Sequence, residues 1–107
     1  MKKGDRVLVK ATVRTGYARI SNNEDVIYEP RGGGKRILRY PHTDVIGIII
    51  GYSWRATGHY SPRVDDNPPF LSEDKRHKVW LVESLRGGDE RYIEPLVCLE
   101  ADLEIIE

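Results

Sequence analysis

Residues 45–55 read VIGIIIGYSWR, and how this stretch is placed decides the fold. Val and Ile make up almost half of it, and β-branched side chains fit a pleated sheet better than a helix. The stretch is therefore read as a strand, and as the most buried one, bounded upstream by Pro41. Strict alternation sets Ile46, Ile48 and Ile50 on one face, continuing into Tyr52 and Trp54. Gly47, Ile49 and Gly51 occupy the other, where missing side chains permit bending or close packing. With three isoleucines, the first face is the one expected inside, taking at least one of Tyr52 and Trp54 with it.

The flanking segments read the same way. Val7, Val9, Ala11 and Val13 alternate with polar residues through DRVLVKATVR (5–14), which gives a half-buried strand begun by the turn residue Gly4. Ala56-Thr57-Gly58 is read as a hairpin turn, with 59–64 returning alongside. The Pro-rich, acidic stretch DDNPPFLSEDKR (65–76) is read as a loop. KVWLVE (78–83) is a strand with Val79 and Leu81 opposing Trp80 and Val82. A glycine turn follows, and 91–98 returns as a strand interrupted by Pro95, as at an edge or a bulge. At the end, one helical turn around Leu99 to Asp102 precedes a closing strand, Leu103 to Ile106.

Five to six short strands with little helix define an all-β, small antiparallel barrel. Closure also removes Ile- and Val-rich edges that would invite aggregation. At 107 residues the chain has room for one domain, read here as 1–107, with 15–43 as a hairpin or loop insertion.

Composition narrows the function classes. The chain is 39% hydrophobic and 32% charged. Its longest strong apolar run, Val45 to Gly51, is far short of the ~18 residues that span a bilayer as a helix. No apolar leader follows MKKGDRV, so a soluble, cytoplasmic protein without membrane contact is expected. The single Cys98 excludes an internal disulfide. Net charge is zero but unevenly spread: residues 1–63 carry twelve Lys or Arg against five acids, and residues 64–107 the reverse. Such a split permits a homodimer or a charged partner if the halves stay apart in space.

RGGGKRILRY (31–40) raises the question of a phosphate loop. A P-loop needs Ser or Thr after the Lys and a helix to follow, whereas Lys35 is followed by Arg36 and a strand-like ILRY. The better reading joins DVIYE (25–29) to KRILRY (35–40) through PRGGG, a basic hairpin presenting Arg31, Lys35, Arg36 and Arg39. Such a ribbon suits a nucleic-acid groove, an acidic protein surface or solvent alone. A second cluster, Tyr52, Trp54, Arg55, His59, Tyr60 and Arg63, holds the residue types enriched at protein interfaces and able to stack bases.

Enzymatic signals are thin. His42, His59 and His77 lack metal-ligand spacing, and no nucleophile elbow surrounds any serine. His42 with Asp44 is a dyad on paper only. A non-catalytic protein with no cofactor and no metal is expected.

The opening KGDRVLV, the strand GIIIGY and the ending YIEPLVCLEADLEII resemble SH3-like barrels of the KOW and Tudor kind. The order GDRV, GIIIGY, VWLVESLRGGDERYIEP and ADLEII is also similar to small uncharacterised proteins of tailed bacteriophages. The resemblance covers about 60 positions in scattered blocks and implies a fold and a viral accessory origin, with no catalytic motif. Taken with the residue reading, the expected role is a phage accessory protein in the host cytoplasm that binds a host or viral protein, with inhibition of a host defence or nucleic-acid-processing complex as one form. The alternative is a nucleic-acid-binding barrel that uses the basic hairpin. The candidate contact residues are Arg31, Lys35, Arg36, Arg39, Tyr52, Trp54, Arg55, Tyr60 and Arg63.

Overall fold

A computed structural model describes residues 1–30, 34–61, 70–85 and 94–106, with backbone alone at 60, 61 and 70–74. The described chain is all-β. Six strands form one antiparallel sheet: β1 (Arg6–Gly16), β2 (Asp25–Tyr28), β3 (Arg36–Ser61), β4 (Phe70–Ser84), β5 (Leu96–Cys98) and β6 (Leu103–Ile105). A single 3-10 turn, Glu100–Asp102, stands before the last strand. Sheet order is β5-β4-β3-β1-β6, with β2 pairing β3 beside this path. The two ends of that path, β5 and β6, are consecutive in the chain and joined through the 3-10 turn.

β3 is the organising element. Its 26 residues would reach about 85 Å if straight, yet the longest dimension of the molecule is 57 Å. It bends at two places, and its partner β4 carries a third irregularity. The four residue steps of β3 from Pro41 to Val45 stand against only the two from Ala11 to Val9 on β1, and Asp44 within this corner has φ of 56°. Ile50 is an extra residue between the Ile49↔Val82 and Gly51↔Leu81 pairs, whereas between the Thr57↔Lys75 and Gly58↔Glu73 pairs the extra residue, Asp74, lies on β4. Each is a bulge, which kinks its strand and increases twist.

The bends bring β3 back onto itself. Lys35, just ahead of the strand, pairs with Gly58 within it: Lys35 N donates to Gly58 O at 2.7 Å and Gly58 N to Lys35 O at 3.3 Å. About 75 Å of extended chain thus ends within one backbone pair of its start. Gly34 sits at φ 115°, and a Cβ there would lie 2.4 Å from Gly58 O. At Gly47, likewise, a Cβ would meet Val82 Cγ1 at 2.3 Å, so β4 approaches only because no side chain stands there.

Two apolar clusters result. Val7, Val9, Ile49, Trp80, Val82, Cys98 and Leu103 form the first. Val13, Ile37 and Val79, with Tyr28, Val97 and Leu99 against them, form the second. Alternate residues of β4 and β5 enter different clusters, Trp80 and Cys98 the first, Val79 and Val97 the second. These two strands are therefore covered on both faces.

Three expectations are corrected. Residues 56–58 are not a hairpin turn but lie within β3, where Gly58 allows the close approach of the Lys35 backbone. Of the loop expected over 65–76, residues 70–76 belong to β4, while 65–69 lie outside the described residues. The core face of 45–55 is inverted: Ile49 is fully buried with Gly47, whereas Ile50 is exposed. The two strand-like runs of the basic hairpin do pair, 25–28 with 37–39, and 36–41 also pair with β1, so residues 37–39 lie between β1 and β2.

The closure predicts which glycine matters. Gly34→Ala should cost about 2 kcal/mol or more in denaturant unfolding, from left-handed strain and the contact with Gly58 O. Gly51→Ala, where a Cβ meets nothing within 4 Å, should stay within about 0.5 kcal/mol of wild type.

Candidate functional site

The bulge at Ile50 determines what β3 and β4 display together. Paired residues of an antiparallel ladder point to the same face, so the register can be followed outward from the core. Ile49 pairs Val82, both buried in the first cluster; two residues along β4 stands Trp80, paired with Tyr52, and two further Lys78, paired with Trp54. The extra residue at 50 thus puts Tyr52 and Trp54 on the same face as Ile49. That face leaves the core at Trp80, which is 8% exposed, and runs onto open sheet at Tyr52 (58%) and Trp54 (55%). Ala56↔Arg76 continues it.

The side chains on this face are organised. The Tyr52 and Trp80 rings meet edge to face, with centroids 6.0 Å apart. Lys78 Nζ stands 4.6 Å from the centroids of both rings, within the range at which an ammonium is attracted to a π-face. Strand backbone fixes the spacing: Tyr52 and Trp54 are separated by a two-residue rise of about 6.7 Å. The result is a stiff surface of aromatic rings with cations beside them.

Arg55 belongs to the opposite face, where Nη1 donates to Ser53 Oγ at 2.9 Å. That face is closed by the second cluster and by buried Thr57, whose Oγ1 donates to Lys75 O at 3.2 Å and lies 3.3 Å from His77 Nε2. His77 in turn meets the Tyr28 ring edge to face at 4.7 Å.

The basic hairpin residues are placed differently from one another. Arg39 gives a bidentate pair to Asp102, with Nη2 donating to Oδ1 at 2.9 Å and Nε to Oδ2 at 3.1 Å. Hydrogen bonding to the Asp102 carboxylate raises the Arg39 pKa against the effect of burial. This pair ties the 3-10 turn to the first part of β3. Arg36 Nη2 lies 3.0 Å from Glu29 Oε1, and Lys35 is held by its backbone at Gly58. Arg31 and Arg63 lie outside the described residues, as does the side chain of Tyr60. His59 is half-buried in β3 near Gly34.

Two groups lay beyond sequence reading. Lys78, with Trp80, joins the open face only through cross-strand register. Glu24 is buried in the 17–24 connection, where Arg14 Nε donates to Oε2 at 2.6 Å and Nη2 to Oε1 at 2.9 Å, with the Ile20 and Ser21 N–H groups also on Oε1. Those bonds, with Arg14 foremost, hold its pKa down from 4.5 to about 2. An acid at the end of a loop, immediately before β2, gave no sequence signal of this role.

For chemistry, the described residues offer little reactive material. Cys98 is fully buried, and burial together with nearby Asp102 pushes its thiol up to about 12, so it is a packing residue rather than a nucleophile. His42 does not engage Asp44 in any bond shown; its Nε2 lies 2.8 Å from Thr12 Oγ1, and burial lowers its pKa. No group of three or more His, Cys, Asp or Glu side chains among the described residues is arranged to hold a metal ion. No helix among them is long and apolar enough to cross a membrane. Set against family models, curated proteins and solved structures, the chain matches none.

Two predictions concern the ion pairs. Arg39→Ala leaves the Asp102 carboxylate buried without its partner and should lower unfolding stability by about 2 kcal/mol, with Arg39→Lys recovering only part because one ammonium cannot replace the fork. Glu24, whose folded pKa lies below its unfolded value, stabilises fully above about pH 4.5 and loses that contribution as pH falls toward 2. Glu24→Gln should therefore flatten the acid limb of a stability-against-pH curve across that window, measured by urea melts.

Proposed function

We propose that this chain is a non-catalytic binding domain whose contact surface is the open β3–β4 face bearing Tyr52, Trp54, Arg76 and Lys78, with Trp80 behind them. The observation that carries the reading is the exposure of Tyr52 and Trp54, each more than half open although it stands on the face that forms the core a few residues away. Aromatic side chains cost little conformational entropy to immobilise and supply large contact areas, and here the strand has already fixed their positions. Arginine and aromatic residues are also the types in which binding energy concentrates. The hairpin plays a smaller part in this reading, since Arg36 and Arg39 are engaged with Glu29 and Asp102.

The SH3-like assignment belongs to the same proposal. It is supported by the strand order with β6 beside β1 and a 3-10 turn before the closing strand. An accessory role in a phage, docking onto a viral or host assembly, fits a small domain with a contact face and no reactive cluster among its described residues.

The test is capture of partners from lysate with wild type beside a Tyr52→Ser, Trp54→Ser variant, both shown to be folded by thermal melts. Partners retained by wild type and lost by the variant are expected. Retention of the same partners by both would remove this face from the interface.

A further inference from the structure

The chemistry of the open face narrows what it accepts. Along the β3–β4 ladder it consists of Tyr52, Trp54, Ala56, Arg76, Lys78 and Trp80, and none of these six is acidic. Rings and cations lie side by side on the two strands: Trp54 is paired with Lys78, Tyr52 with Trp80, and the Lys78 ammonium lies over the Tyr52 and Trp80 rings. Lysine is depleted at the centre of protein–protein interfaces, where its hydrated ammonium must be stripped. It is common beside phosphates, whose charge replaces that hydration. A ligand complementary to this face therefore combines flat π-surfaces with a repeating negative charge.

We propose that the face takes single-stranded nucleic acid, with bases stacked on Trp54 and Tyr52 and the backbone phosphates beside Lys78 and Arg76. The inference rests on the binding-face reading above. Stacked bases repeat at about 3.4 Å along a strand, so the 6.7 Å rise between the two rings is about two stacking steps. Bases must be unstacked from any partner strand to reach a flat sheet face, as on other sheet platforms. A duplex keeps its bases inside and offers this surface its phosphates alone. Lys78 is also held by the rings before a ligand arrives, which reduces the ordering cost of binding.

The experiment is fluorescence anisotropy of labelled oligothymidylate and oligouridylate with the full chain at low ionic strength. Wild type is expected to bind, and Trp54→Ala to weaken binding roughly 5- to 100-fold, the loss of one stacked base. Trp54→Phe, which keeps a ring, should recover most of it. Because each phosphate contact on a single strand contributes about 0.7 to the slope of log affinity against log salt, Lys78→Ala should flatten that slope by about 0.7. A duplex of the same length should bind more weakly and be indifferent to Trp54. No binding at low salt, or equal binding by wild type and Trp54→Ala, overturns the proposal. Capture of a protein partner that depends on Tyr52 and Trp54, without oligonucleotide binding, overturns it while leaving the binding face in place; failure of both assays overturns both.

Discussion

The backbone pair between Lys35 and Gly58 is the constraint on which the architecture turns. It makes one strand both the middle of a β1–β3–β2 layer and the partner of β4, so every other element is positioned by how β3 bends. The pair cannot hold this closure by itself. Closing a loop of this length costs roughly 3 kcal/mol in chain entropy, whereas two backbone hydrogen bonds contribute about 1–3 kcal/mol net. Burial of Val13, Ile37 and Val79 makes up the difference, at about 1.5–3 kcal/mol for each large apolar side chain. The second cluster and the bridge thus need each other. Gly34 and Gly58 belong to the same device, since a Cβ at 34 meets the carbonyl of 58.

A small all-β chain with two clusters instead of one has an unusual distribution of covered surface. β4 and β5 are packed on both faces over their inner parts, while the outer reach of β3 and β4 is packed on one face only. The first cluster ends at Trp80, and the sheet continues past it. Tyr52 and Trp54 therefore stand where the core face persists but the layer covering it does not. Neither ring belongs to the first cluster, although Tyr52 touches its edge at Trp80, and both stand more than half exposed.

Much of the architecture was legible because it depends on periodicity. Val7, Val9, Ala11 and Val13 are all buried as their alternation implies, and the ending folds as a short turn and a strand because Glu100–Asp102 is too short to extend and Ile105 favours a sheet. The face of 45–55 was not legible. A period of two carries no information about an inserted residue, and one bulge at Ile50 reverses the relation between Ile49 and Tyr52. Ala56-Thr57-Gly58 misled for a related reason, because a glycine that reads as a turn also stands inside strands where another backbone approaches closely, as Lys35 does at Gly58. Partners such as Arg39 and Asp102, 63 residues apart, exist only through the topology that joins the 3-10 turn to β3.

Charge shows the same dependence on topology over chain order. The excess of bases in the first part of the chain and of acids in the second gave the hairpin its basic appearance. In the structure, Arg39 pairs with Asp102 and Lys10 lies 3.5 Å from Glu104, so bases of the first part meet acids of the last. Arg14 and Arg36 find Glu24 and Glu29 nearby. The surface pair of Lys10 and Glu104 adds little, but Asp102 and Glu24 are buried carboxylates that would be costly without their arginines. Four of the first part's twelve bases, Lys10, Arg14, Arg36 and Arg39, are thus engaged with acids. Lys75, Arg76 and Lys78 come instead from the acidic half, and register alone carries Arg76 and Lys78 onto the face of Tyr52 and Trp54. Local potential at that face is set by which residues the ladder places there, not by the charge of the segment they come from, and a basic aromatic surface can arise in the more acidic part of a neutral chain.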